Sequence, residues 1–199
     1  MGCVSLIKGF DIGCEALFRK YYQNVVLINK DDVNQYSVTT TDDLHRIQFN
    51  LKDDKTGYLF NGNESVGLLT AKFSKKDLKG VPYYSHSVDI VVVGTSENTK
   101  TLLKQLDNSN YFAAIQFRNG DVEIYGFENG LFSGNYEYAP QSSLGGSVIG
   151  LNSKYDEYDP PYLYNSADPN QDFNDLFAGL PDFLSGDFSN DYLNDFYIE

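Results

Sequence analysis

The residues able to do chemistry in this 199-residue chain are two histidines, two cysteines and 28 carboxylates. His45 and His86 could act as bases, since an imidazole titrates near neutral pH. A lone His beside a strand is more often a surface or satisfied core residue. Cys3 and Cys14 have no His close by in sequence, and their spacing matches no zinc pattern. Two cysteines are too few for a disulfide scaffold, which leaves buried thiols or one bridge as the open readings. No Gly-x-Ser-x-Gly elbow and no Walker loop occurs. The acids are numerous enough to supply a glycosidase pair. However, Asp31-Asp32, Asp42-Asp43 and Asp53-Asp54 stand in turn contexts, where Asp bonds local backbone. Asp156, Glu157 and Asp159 could surround a hard cation, but they lack the alternating spacing and the Gly of a calcium loop. The expectation is a protein with no catalytic residue, no cofactor and no metal, and so not an enzyme.

Charge narrows the partners. Fifteen Lys and Arg against 28 Asp and Glu leave a net −13, poorly suited to gripping nucleic acid phosphates. Lys72, Lys75, Lys76 and Lys79 form the one basic cluster, read as a solvated turn or as rim charge for an acidic neighbour. The acidity is uneven. Residues 1–150 carry a net −3, whereas residues 151–199 hold 11 acids and one base, Lys154. Such asymmetry marks a tail with its own role. In the last stretch, acids alternate with aromatics or Leu, as in Asp172-Phe173, Asp182-Phe183, Asp187-Phe188, Asp191-Tyr192 and Asp195-Phe196. Phe173, Phe177, Phe183, Phe188, Tyr192 and Phe196 are therefore expected to dock in a neighbouring protein while the acids keep the free tail soluble. The competing reading packs the tail on its own domain.

The elements that must carry these residues read as mostly β. Val25–Ile28 is a short apolar run, Ile47, Phe49 and Leu51 alternate with polar residues, and Val66–Phe73 and Tyr83–Val93 are further strands. One helix begins at Thr95 or Ser96 with Glu97 in its first turn. It presents Leu102, Leu103 and Leu106 on one face and ends at Asp107–Asn110. Tyr111–Phe117 and Val122–Phe127 form a hairpin around Asn119-Gly120. Asn129-Gly130, Leu131–Tyr138 and Ser147–Leu151 complete the body. The expected fold is mainly β: an antiparallel β-sandwich or barrel with one flanking helix and an extended C-terminal tail. Three segments follow: a β domain over 1–152, an acidic Pro-containing linker over 153–170, and an acidic-aromatic docking tail over 171–199. No stretch is long and apolar enough to span a bilayer, and the N-terminus lacks the pattern of a signal peptide.

The opening Cys3-Val4-Ser5-Leu6-Ile7-Lys8-Gly9-Phe10-Asp11-Ile12-Gly13-Cys14 resembles the start of virion proteins of phages that infect Bacteroides and its relatives. Tyr125-Gly126-Phe127-Glu128-Asn129-Gly130-Leu131, then Gly145-Gly146-Ser147-Val148-Ile149-Gly150-Leu151, then an acidic segment leading to Pro160-Pro161, are similar as well. This likeness to tail-tube and tail-ring proteins, including those of crAss-like short-tailed phages, covers about the first 160 residues. It implies a tail-tube-like structural protein, six or twelve copies in a ring, and adjacent tail, ring or portal-associated proteins as partners. DNA would be passing cargo only, no membrane would be involved, and the virion tail or connector, assembled in the host cytoplasm, would be the location. A tail after Asp168 favours a ring or hub protein over a plain repeating tube. The other reading is a carbohydrate- or protein-binding β-sandwich on a phage or cell surface, its many Tyr stacking on sugars.

Overall fold

The computed structural model describes residues 22–41, 44–61, 70–93, 97–117, 121–136, 146–165 and 176. Cys3, Cys14 and the Asn119-Gly120 turn lie outside them. The strands in chain order are β1 (Tyr22–Asn29), β2 (Val33–Thr41), β3 (Leu44–Leu51), β4 (Tyr58–Asn61), β5 (Thr70–Leu78) and β6 (Val81–Val93). Helix α1 (Glu97–Asn108) precedes β7 (Tyr111–Phe117), β8 (Val122–Tyr125), β9 (Leu131–Ser133), β10 (Gly146–Ser153) and β11 (Tyr162–Tyr164). A single 3-10 turn, Lys30–Asp32, joins β1 to β2.

The strands run in the order β2-β3-β11-β8-β7-β9-β10-β6-β5, with β1 added beside β7 and β4 beside β1. The mainly β class and its flanking helix are as expected, but the sheet is mixed and open. β11 lies parallel to β3, pairing Leu163 with Arg46 and Tyr164 with Ile47, and antiparallel to β8. A parallel pair needs a long connection. Here more than a hundred residues separate the partners, so a strand from the end of the described body inserts between β3, from its start, and β8. β2 and β5 end the path, so no barrel closes.

Burial explains the middle of the sheet. Val25, Leu27, Tyr111, Ala113 and Ile115 face one hydrophobic cluster with Val88, Ile90, Ile149 and Leu151. Val26, Ile28, Phe112 and Ala114 face a second cluster with Ile47, Phe49, Val122, Ile124 and Tyr162. Strands buried on both faces read as unbroken apolar runs, which is the pattern of Val25-Val26-Leu27-Ile28 and Tyr111-Phe112-Ala113-Ala114-Ile115. Helix α1 covers the first cluster with Leu103 and Leu106, with Leu102 partly buried beside them and Lys100 and Lys104 outside. The second cluster is aromatic: Phe127 contacts Phe112 edge-on at 5.2 Å and Tyr36 at 5.1 Å, and Phe49 meets Phe112 at 5.2 Å. Such pairs each add about 0.5–1.5 kcal/mol beyond area burial.

Two local readings change. Lys72, Lys75 and Lys76 lie on β5, an edge strand, and Lys79 alone of the four sits in a turn. Lys79 and Gly80, with φ of 53° and 83°, make the two-residue connection between β5 and β6 that positive φ at both positions favours. Of the stretch expected as a linker over 153–170, residues 153–165 are built into the sheet through β10, a Tyr84–Glu157 bridge and β11. Among the described residues no helix is long and apolar enough to cross a membrane.

Candidate functional site

Of the polar residues singled out by type, Glu157 and His86 meet the turn after β8, and Asp159 and His45 reach it through Tyr162. Gly126 to Gly130 form a tight turn closed by Gly130 N–H donating to the Gly126 carbonyl at 2.9 Å. Gly130 has φ +83°, and a Cβ there would stand 1.5 Å from Asn110 Oδ1, so only glycine fits. The turn points two backbone amides inward. Glu128 N–H donates to Glu157 Oε2 at 3.1 Å and Asn129 N–H to Glu157 Oε1 at 3.2 Å. Successive amides of this kind form a concavity that favours an anion, and Glu157 fills it with its own carboxylate.

Glu157 arrives there because its backbone is tied to β6. Its N–H donates to the Tyr84 carbonyl at 2.7 Å and its carbonyl accepts from Tyr84 N–H at 2.9 Å. The side chain is 1% exposed. Burial pushes its pKa up to about 7; the Glu128 charge adds to the rise, while the two amides and Lys30 oppose it. Beneath the same turn, His86 on β6 is 2% exposed. Its Nδ1 accepts from Gly126 N–H at 3.0 Å, and burial lowers its pKa to about 4, so the ring is neutral. Its Nε2 has no aligned hydrogen-bond partner among the described residues.

Glu128 and Asp159 extend the network to β11. Tyr162 Oη lies 2.8 Å from Glu128 Oε1 and 2.9 Å from Asp159 Oδ2. One phenol proton satisfies only one of these carboxylates at a time. Burial, then the two carboxylates, raises the Tyr162 pKa well above the ordinary range. Glu128 Oε2 accepts from Tyr158 N–H at 2.8 Å, and Lys30 Nζ donates to the Glu128 carbonyl. His45 Nδ1 stands 3.1 Å from Asp159 Oδ1 without hydrogen-bond alignment, and its ring stacks on Tyr162 at 6.1 Å.

This arrangement joins residues 156–162 to the sheet. Shifted pKa values cluster at catalytic sites and also in structural networks. Here the Glu157 oxygens are spent on backbone amides and His86 Nδ1 on Gly126. The acids weighed as cation ligands diverge: Asp156 meets Lys76 Nζ at 3.0 Å, Glu157 turns inward, and Asp159 binds Tyr162. Two cavities among the described residues lie elsewhere. One, of about 190 Å³, sits between α1 and β1, and the other is an open groove beside Asp31, Asp32 and Asp107. Glu128 and Tyr162 carry no sequence signal of their own as partners of Glu157 and Asp159. Glu128 stands only within the Tyr-Gly-Phe-Glu-Asn-Gly-Leu run.

The proposed docking residues Phe173, Phe177, Phe183, Phe188, Tyr192 and Phe196 lie outside the described residues. Leu176 is described, and it packs on its own domain. It is 3% exposed in the second cluster, and its carbonyl accepts from Gly57 N–H at 2.8 Å. A Cβ on Gly57 would lie 2.8 Å from that carbonyl and 2.3 Å from Val26 Cγ1, so glycine lets the tail approach.

A third feature is the sheet's open end. β2 is nine residues long, without charge or proline, and exposed from Asn34 to Thr41. Tyr36 is 60% and Val38 42% exposed. No protein-family model matches the chain, and no curated protein or solved structure matches it either.

Proposed function

We propose that this chain is a structural virion protein of a tailed bacteriophage. Its copies join side by side into a ring of the tail or connector through which DNA passes, and its C-terminal segment docks on a neighbouring virion protein. The observation that carries the reading is β2. Edge strands of monomeric proteins are blunted by charges, proline, bulges or a cover. β2 has one register shift, between Val33 and Gln35, and beyond it a seven-residue run with neither charge nor proline. Val, Tyr and Thr in that run favour extended pairing. β2 and β5 lie at opposite ends of the strand path, so a contact between unlike ends repeats from copy to copy and closes into a ring when the rotation allows. The polar network around Glu157 supports the same reading, because it fixes residues 156–162 and keeps the body rigid. A body of net −3 offers passing DNA little phosphate affinity.

The test is the mass of the full chain in solution, by light scattering and native mass spectrometry, beside a variant carrying Val38→Lys and Thr40→Lys. Both positions are exposed, so the fold should persist by circular dichroism while the oligomer dissociates. A chain that stays monomeric at its highest attainable concentration would refute the ring.

A further inference from the structure

We propose that residues 177–199 of one copy dock on the lysine- and tyrosine-bearing end of the sheet, around β5 and β6, of the next copy. The inference rests on the proposed side-by-side joining of copies and on reading the C-terminal segment as a docking element, and it names the surface that receives it.

The receiving surface is unlike the rest of the body. Lys72, Lys75, Lys76 and Lys79 lie on β5 and its turn. The β5–β6 register divides them between the two faces of this end: Lys75 stands opposite Tyr84, whose ring lies 6.0 Å from that of Phe73, 48% exposed, while Lys76 stands opposite Tyr83, whose ring lies 5.8 Å from that of Tyr158, 65% exposed, with Lys72 on the same face. Lys72 and Lys79 have no ion pair among the described residues. Lys75 and Lys76 have only surface partners, Asp77 at 3.8 Å and Asp156 at 3.0 Å. Exposed pairs of this kind are worth about 0–1 kcal/mol and exchange readily for an incoming carboxylate. Basic side chains interleaved with exposed rings fit an acidic, aromatic ligand.

The chain supplies that ligand. Residues 177–199 hold five acids, Asp182, Asp187, Asp191, Asp195 and Glu199, and no Lys or Arg. Four of the acids directly precede an aromatic residue. Permanent exposure of such rings is unfavourable, and ordering on a complementary surface removes it.

The anchor of the segment selects a neighbour over the chain's own body. Leu176 is rooted in the second cluster, whose members come from β1, β3, β7, β8 and β11 and the turn, none from β5, β6 or β10. The root therefore lies toward the β2–β3 side of the path, away from β5. Copies joined unlike end to unlike end bring that root beside the next copy's β5. The 23 residues beyond Leu176 extend to about 75–80 Å, enough to cross such a junction.

Carboxyl-to-amine cross-linking without a spacer tests this on the full chain, prepared as an equal mixture of ordinary and heavy-isotope-labelled protein. Peptide mass spectrometry should find light-to-heavy links from Lys72, Lys75 or Lys79 to the acids of 177–199. A variant with Lys72→Glu, Lys75→Glu and Lys79→Glu lacks those three amines, so the readout in it is the links from the tail acids to Lys76, which should fall by about tenfold or more, the equivalent of roughly 1.4 kcal/mol. Mixing that variant with one carrying Asp182→Lys, Asp187→Lys, Asp191→Lys and Asp195→Lys should restore links of reversed polarity, which a misfolded variant could not do. Links confined to one isotope, or falling instead on Lys100 and Lys104 of α1, would overturn the proposal. A full ring mass without these links removes the docking and leaves the ring reading standing. Light-to-heavy links in a chain that never assembles beyond a pair keep the docking and remove the ring.

Discussion

Replacing Glu157 by Gln, and separately His86 by Asn, is expected to tilt the pH dependence of stability in opposite directions. The folded His86 titrates at about 4 against an ordinary 6.5. The unfolded chain therefore binds the extra proton first, so the His86 contribution is complete above pH 6.5 and is lost as pH falls through 4. Glu157 behaves in the reverse sense. Its folded pKa of about 7 lies above the ordinary 4.5, so its contribution is present below pH 4.5 and is lost as pH rises through 7. At about 1.4 kcal/mol per pH unit each shift amounts to about 3 kcal/mol, and between pH 4.5 and 6.5 the two nearly cancel. Removing one exposes the other. Glu157→Gln should destabilise most near pH 4.5 and least above pH 7, relative to the unaltered chain. His86→Asn, whose amide oxygen can still accept from Gly126 N–H, should destabilise least near pH 4 and most above pH 6.5. Urea unfolding followed by far-ultraviolet circular dichroism across this range reads both, at fixed protein concentration because association also stabilises. Profiles that stay parallel to the unaltered chain, or tilt the same way, would refute the assignment of buried, oppositely shifted groups.

Leu176→Ala should cost about 2–4 kcal/mol in urea unfolding, because it empties a site in the second cluster; a cost near zero would detach the tail root from the body. It follows that truncation must begin at residue 177 if the body is to stay intact. Gly130→Ala should cost more than about 2 kcal/mol, combining left-handed backbone strain with the Asn110 clash. In an Asn110→Ala background only the steric part should return. Tyr162→Phe should cost about 0.5–1.5 kcal/mol by leaving a half-buried carboxylate without its donor. It should also speed amide exchange at Tyr158, whose N–H depends on Glu128.

Local pattern made part of this protein legible. The apolar runs at Val25–Ile28 and Tyr111–Ile115 marked strands, and the structure buries both faces of each against a core. The Leu102, Leu103 and Leu106 stripe marked a helix packed on the sheet, and Asn129-Gly130 marked a turn needing positive φ. β2 carried little signal, because its nine residues bury almost nothing and periodicity records burial. The lysines looked like a turn because a charged edge strand has no apolar alternation to declare it. Tyr162–Tyr164 gave no hint of pairing parallel to β3, and Glu157 none of being buried. Composition and local spacing by themselves determined the β class, the helix and the separation of a near-neutral body from an acidic, aromatic end. Only the tertiary structure decided that the sheet is mixed and open, and that Leu176 roots the tail in the core. It alone brought Glu157, His86 and Tyr162 to one turn. Those outcomes depend on which distant backbone amides and strand edges meet, and that is a property of long-range pairing which no local period encodes.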